Sequence, residues 1–549
     1  MLRQIIQIAL PVILPFIVYG LWLKWARAKA IREGHDVIPP WDKGPWLLLL
    51  GIGVAFAGAI LIATALGTGA SPDTIYHAPA LKDGVVQPGY FEPKKKPDTP
   101  ATDIKIKSRQ RFCMTALIAT GHLQPHGVMT HPDTVRVFDA IAAHGGTARF
   151  VGGIVRDALL KRELSDIDIA CDLKPEETVA ALEKVGLKVI PTGIKHGTVT
   201  AISQAHAYEI TTLRVDVVTD GRHAEVAFTD SWLGDAKRRD FTFNALYCDL
   251  DGTIYDPFDG EIDLREGRVR FIGVAEDRIA EDYLRILRFF RFHAWFGRPP
   301  LDPVGAEACR KAASGLRDIS PERIRDELLK LLRSRSPAAT MTDMIGFNVL
   351  PVILPDIVDT ARLRIMEWLD STALADPAIK PDPLRRLAAL YRPSDNFEDE
   401  MLAATEFGRS LRLSGDETDR FAAMIANAHL ISPDISDDMI RRDLYRMGAD
   451  AFRDAVLLAW AARAAIPPRL SSSENSRWQN LLQAATDWVP VTLPIQGRDL
   501  LSAGLAPAGP QMGQMLKQAE EYWLANAFMP GREDLMTYLA AENAVKLQE

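Results

Sequence analysis

Residues 149–170 read RFVGGIVRDALLKRELSDIDIA, and several side chains in that stretch suit phosphate chemistry. The glycine pair Gly152-Gly153 lets backbone N–H groups come close to a phosphate. Arg156 adds a planar charged fork, with Asp157 beside it. Asp166 and Asp168 stand two apart, so on a strand they project from one face. Carboxylates held that close repel unless a cation lies between them. Hard oxygen ligands with open positions suit Mg²⁺, which shares its shell with substrate phosphates. Alone, a D-x-D is usually a solvated strand edge and a Gly-Gly usually a turn. In this order and spacing they point to metal-assisted nucleotidyl transfer from a nucleoside triphosphate.

Further motifs follow in order. KHGTV (Lys195 to Val199) and EITTLR (Glu209 to Arg214) read as strands; RRDFTFNAL (Arg238 to Leu246), GTIYDPFDGEIDL (Gly252 to Leu264) and EDYLRILRFFRF (Glu281 to Phe292) come next. GRDLLSAGLAPAGPQMGQML (Gly497 to Leu516) lies near the end. From about residue 129 onward the chain resembles the polymerase-β nucleotidyltransferase superfamily, in particular its class II branch of CCA-adding tRNA nucleotidyltransferases and bacterial poly(A) polymerases.

The resemblance implies an α+β fold: a nucleotidyltransferase head with a small mixed sheet, then an all-helical neck, body and tail. It implies two Mg²⁺ ions on Asp166 and Asp168, with Glu209 as a candidate third catalytic carboxylate. Gly152, Gly153, Arg156 and Asp157 are expected to order phosphates and sugar, and Arg238, Arg239, Asp240 and Asn244 to contact ribose and triphosphate. Asp282 and Arg285, three apart and so neighbours on one helix face with Arg288 next along, are expected to select the base. A carboxylate accepts from an exocyclic amine while an arginine donates to the ring acceptor beside it. Cytosine and adenine both carry that amine; uracil lacks it and guanine shows a carbonyl there. CTP and ATP are therefore the expected substrates and the tRNA 3′ end the acceptor. Each residue also has a plainer reading: a surface charge at Glu209, a helix salt bridge at Asp157, a solvated basic run at Arg238-Arg239, an i,i+3 ion pair for Asp282 and Arg285.

At 549 residues the chain exceeds one core. The expected divisions are a membrane hairpin (1–70), a largely disordered linker (71–128), the head (129–270), a neck carrying the nucleotide-selecting helix (271–340), a body (341–480) and a tRNA-binding tail (481–549). The net charge of −8 is unusual for a partner of RNA, but binding needs only a local basic surface. The four cysteines form no C-x-x-C, which points to neither a zinc site nor a disulfide framework. His196, beside Gly197, reads as structural, and the remaining histidines show no ligand spacing. The only His-Asp pair, His35-Asp36, lies in the hairpin, so no associated phosphatase is expected.

Ile5 to Leu23 is almost unbroken apolar sequence and Trp46 to Leu66 carries no charge. Each is long enough to cross a ~30 Å hydrocarbon core, with Trp22, Trp25, Trp41 and Trp46 where interfacial aromatics belong. Residues 5–23 and 46–66 therefore predict a two-helix hairpin in the inner membrane. Lys24, Arg27, Lys29, Arg32 and Lys43 in its loop favour a cytoplasmic loop, which conflicts with a cytoplasmic catalytic region. Either the hairpin is inverted or the enzyme is made separately from Met114 or Met129. Two other activities fit parts of the pattern: poly(A) polymerase, whose strongly basic C-terminal extension is not matched by AENAVKLQE, and a membrane-tethered RNA-binding protein without catalysis, against which the intact Asp166/Asp168 pair speaks.

Overall fold

The computed structural model describes residues 74–77, 80–82, 85–87, 90–93 and 117–546, apart from 165, 204–205, 220–223, 355–358, 372–378 and 393–399. Two units separate, before and after residue 105. In the first, β1 (Thr74–His77) pairs antiparallel with β4 (Tyr90–Pro93), and β2 (Ala80–Lys82) with β3 (Val85–Gln87). The apolar segments 5–23 and 46–66 lie outside the described residues. No helix among the described residues is long and apolar enough to cross a membrane.

The second unit is built on an eight-stranded mixed sheet, larger than the small one expected. Its strands are β5 (Ala119–His122), β6 (Ala148–Val151), β7 (Ile167–Cys171), β8 (Lys188–Gly193), β9 (Thr198–Ile202), β10 (Ala207–Thr212), β13 (Tyr247–Cys248) and β14 (Thr253–Tyr255). They lie in the order β5-β14-β13-β6-β7-β10-β9-β8. Among the described residues, β7 and β10 are the one parallel pair of this sheet. A separate antiparallel ribbon, β11 (Arg214–Thr219) with β12 (Ala224–Phe228), leaves the end of β10.

Three helices accompany the first half of the sheet: α1 (Pro132–Ala143), α2 (Gly153–Leu159) and α3 (Pro175–Lys184). After it come α4 (Trp232–Lys237), α5 (Gly260–Glu266), α6 (Ala275–Glu281) and α7 (Leu284–Phe296). Beyond these the chain is helical: α8 (Pro303–Ala312), α9 (Pro321–Leu332), α10 (Pro337–Gly346) and further helices to Arg532–Lys546. One continuous apolar core runs from Leu123 in the sheet to Ala485 in the helical region. A separate core around Leu500, Trp523 and Leu535 gathers the last helices.

Two features anchor the helices. Phe241 and Phe243 pack against Phe292 of α7 at ring separations of 5.3 and 5.4 Å, gluing the RRDFTFNAL segment to that helix. Arg386 is fully buried; it binds both carboxylate oxygens of Asp370 at 2.8 Å and the carbonyls of Leu332 and Ser334. Removing either partner would strand a buried charge.

The linker boundary at residue 128 falls too late. β5 is a sheet edge strand paired with β14, Leu123 is in the core, and Met129 is fully buried. Ala119 to His122 (ATGH) carry no alternating apolar signal, because all four residues are exposed. A chain starting at Met129 should therefore be less stable than one starting at Ile106 by about 2–4 kcal/mol, read from urea midpoints, because it loses Leu123 and the edge strand.

Candidate active site

Strand β6 ends at Val151, and the chain turns at once into α2 through Gly152, whose φ of 66° suits glycine. A side chain at Gly152 would meet the Asn244 carbonyl, and one at Gly153 would stand 3.8 Å from both Asp168 Oδ2 and the Arg156 guanidinium. The two glycines therefore leave room at the floor of a cleft rather than filling it. On β7, Ile167 and Ile169 are buried while Asp168 faces the other way, with the exposed Asp166 just before the strand. In the parallel β7–β10 pair, Glu209 is the register partner of Asp168. Burial, then the neighbouring Glu209, push the Asp168 carboxyl up to about 6, against the pull of Arg239.

Arg238 and Arg239 follow the C-terminal end of α4. Both pair with Asp235, which is 1% exposed and also accepts from the Tyr247 hydroxyl at 2.7 Å. Burial opposes charge on Asp235, but Arg239 and Arg238 outweigh it and hold it at about 2. Asp240 is buried too: it accepts from the Asn244 amide at 2.9 Å and from the Phe241 N–H, and it pairs with Arg288 of α7. Asn244 in turn accepts from Arg156 at 3.0 Å, and Arg156 also holds Asp157 with two bonds. The GTIYDPFDGEIDL segment props this turn from below, where Asp263 accepts from the Thr242 hydroxyl at 2.7 Å.

Asp282 and Arg285 do not share a helix. Asp282 is extended, between α6 and α7, and its side chain accepts from the Leu284 N–H at 3.1 Å. An aspartate that caps a new helix breaks the old one. Nor do the two residues pair. Arg285 pairs with Glu281 and donates to the Arg278 carbonyl, while Asp282 pairs with Arg323 of α9 at 2.7 Å.

All the residues singled out in the sequence line one cavity of about 880 Å³: the glycine pair and Arg156-Asp157, the carboxylates Asp166, Asp168 and Glu209, the run Arg238 to Asp240 with Asn244, and Asp282, Arg285 and Arg288. That volume is in the range of small-molecule sites. Four cavity groups were missed: Arg291, Phe292, Arg323 and Lys330. Arg291 continues the three-residue spacing of Arg285 and Arg288, a signal that was available. Arg323 and Lys330 lie seven apart on α9, where a charged stripe reads as a solvated face. The side of Lys195 in the KHGTV segment lies outside the described side chains.

Residues 148–270 match the family model described as the poly A polymerase head domain, and 300–360 match the probable RNA and SrmB- binding site of polymerase A. The mitochondrial CCA tRNA nucleotidyltransferase 1 of Homo sapiens is 33% identical over 399 residues, covering 71% of this chain and 86% of the relative. The CCA-adding enzyme of Lactobacillus johnsonii is 44% identical over 406 residues, 70% of this chain and 91% of its own. Among solved structures, the Bacillus stearothermophilus CCA-adding enzyme in complex with CTP superposes with a TM-score of 0.60 at 27% identity, covering 76% of this chain and all of that one.

The raised Asp168 carboxyl makes a stability prediction. Its folded value of about 6 exceeds its unfolded 3.8, so folding is unpenalised below 3.8 and loses stability as pH rises through 6. Without divalent cations, Asp168→Asn should raise stability at pH 7.5 by about 1–3 kcal/mol. The gain should vanish near pH 4, and thermal melts across that range check it.

Proposed function

Because the chain belongs to the family of CCA-adding tRNA nucleotidyltransferases and poly(A) polymerases, we propose that this cavity adds C, C and A to the 3′ end of tRNA from CTP and ATP, with no nucleic-acid template. The observation that carries this reading is the convergence in one cavity of three carboxylates, a glycine-floored arginine cradle and the Asp282/Arg285 pair.

The 3′-hydroxyl oxygen attacks the α-phosphorus of the incoming nucleotide. A phosphodiester bond forms, the bond to pyrophosphate breaks and the hydroxyl proton is released. The donor set fits Mg²⁺: every candidate ligand is a hard oxygen, and burial and the neighbouring Glu209 raise the Asp168 carboxyl, a penalty that a bound cation would offset. Asp166 and Asp168 would hold two such ions with Glu209 beside them. What Mg²⁺ supplies when bound there is acidification of the attacking hydroxyl and neutralisation of charge on the departing pyrophosphate.

The protein's own groups do the positioning. Gly152 and Gly153 keep side chains away from the floor where phosphates lie. Arg156, clamped by Asp157 and Asn244, and Arg239, clamped by Asp235, offer fixed charge toward the triphosphate. Arg238 completes that wall, while Asp240 and Asn244 face the ribose. Asp282 accepts from the exocyclic amine of cytosine or adenine and Arg285 donates beside it; Arg323 and Glu281 restrict their rotamers from the side. A site built around that amine rejects bases lacking it, because its own polar groups are then left unpaired. The helical region beyond α9 offers the surface for the body of the tRNA. These substrates place the reaction in the cytoplasm, and the hairpin 5–23 and 46–66 would tether the catalytic unit to the membrane.

Asp166→Ala or Asp168→Ala should lower CTP incorporation into tRNA lacking its tail about a thousandfold or more while the fold persists. Near-normal incorporation by Asp168→Ala would end the mechanism. Asp282→Ala and Arg285→Ala should instead relax selection, with UTP or GTP incorporation rising relative to CTP and ATP. An equal drop for all four nucleotides would make the pair structural.

A further inference from the structure

Outside the cavity, three side chains that look unrelated in the sequence meet between the start of α1 and the residue before β10. His131 precedes α1, Asp133 is in its first turn, and His206 sits at the start of β10. Each offers one ligand atom, and those atoms all lie within 4.8 Å of one another. The two imidazole rings meet edge-on with centroids 4.7 Å apart. His131 Nδ1 is 3.8 Å from Asp133 Oδ2.

A second observation is independent of that clustering. His206 Nδ1 is buried and has no hydrogen-bond partner among the described residues. A buried imidazole nitrogen without a partner is costly, and such groups in native structures call for an explanation. The position of His206 is not loose: its N–H donates to the Ser203 hydroxyl at 3.1 Å, and its carbonyl accepts from the Ser203 N–H at 2.9 Å. Two residues on, Tyr208 meets the Thr134 hydroxyl at 3.1 Å in the core, which fixes β10 against α1. These bonds hold His206 and the start of β10 against α1.

We propose that His131, Asp133 and His206 bind a divalent transition ion of the zinc class. Two imidazoles and one carboxylate are the borderline donors such ions prefer, whereas Mg²⁺ takes oxygen alone. Tetrahedral ligation at about 2.1 Å separates donors by about 3.4 Å, so the three need close by only on the order of an ångström. The ion takes the lone pair of His131 Nδ1 from its 3.2 Å contact with the Asp133 N–H. It gives the buried His206 Nδ1 the partner it lacks and leaves a fourth position to water. Its role is a clamp: it ties the start of α1 to the strand that carries Glu209 three residues further on. The two histidines lie too far apart in sequence for any spacing to reveal the site.

The test uses the full chain in excess Mg²⁺, which saturates the catalytic carboxylates. Zn²⁺ is added by equilibrium dialysis, and Co²⁺ as a spectroscopic stand-in. One equivalent of Zn²⁺ should bind, Co²⁺ should show the intense visible bands of tetrahedral coordination, and the melting temperature should rise. His206→Ala and Asp133→Asn should each weaken binding at least tenfold, while Asp168→Asn leaves it intact. Asp133→Asn keeps the helix-capping amide, so it decides the matter should His206→Ala fail to fold. CTP incorporation by Asp133→Asn in Mg²⁺ alone should stay within about twofold of normal. Unchanged Zn²⁺ affinity in Asp133→Asn, or loss of binding in Asp168→Asn, overturns the proposal.

Discussion

The site depends on one buried carboxylate. Asp240 is 8% exposed, and burial opposes its charge, but Arg288 and Asn244 outweigh it and hold the carboxyl below its ordinary range. Through Asn244 it reaches Arg156 and hence the turn after β6. Through Arg288 it reaches α7, and Arg288 with Arg291 continues to Glu327 on α9. Sheet-borne phosphate groups and helix-borne base-facing groups are thus parts of one ionic chain. Such buried chains stabilise weakly in sum but penalise any broken link heavily. The gain is geometric: the two halves of the cavity keep a fixed separation.

A chain of net charge −8 can still bind triphosphate and RNA, because its charges are sorted rather than balanced. The acids Asp166, Asp168 and Glu209 stand together on neighbouring strands, where they repel. The arginines are each held by a dedicated acid behind them: Asp235 for Arg238 and Arg239, Asp157 for Arg156, Glu281 for Arg285. Asp235 and Glu281 fix rotamers from outside the cavity lining. The field of a cleft is set by this local arrangement, not by the sum over the chain.

Much of this was legible in the sequence, for physical reasons. The site residues were readable because they cluster in recognisable order around the end of β6 and the start of β7. What was hidden depended on contacts distant in sequence. β5 is an edge strand with no buried side chain, so no apolar alternation marked it. The break at Asp282 looked like continuous helix because every residue around it tolerates one, and only the capping bond to Leu284 decides otherwise. Arg323 and Lys330 gained their place from the packing of α9 against α7, which no local pattern encodes.

The break at Asp282 also bears on how a protein can choose a base. A carboxylate in mid-helix would swing on a flexible stem and could be satisfied by a neighbour one turn away. At a helix junction its backbone is held by the cap, and Arg323 fixes one oxygen from another helix. Arg285, on the next helix, is held by Glu281 and by carbonyl oxygens from two other segments. Discrimination between an amine and a carbonyl on a base rests on hydrogen bonds that fail over small displacements, so the groups that read it must be held within about half an ångström. Fixing two reading groups through separate helices, each with its own counter-charge, meets that requirement, where a single pair on one helix would satisfy itself instead.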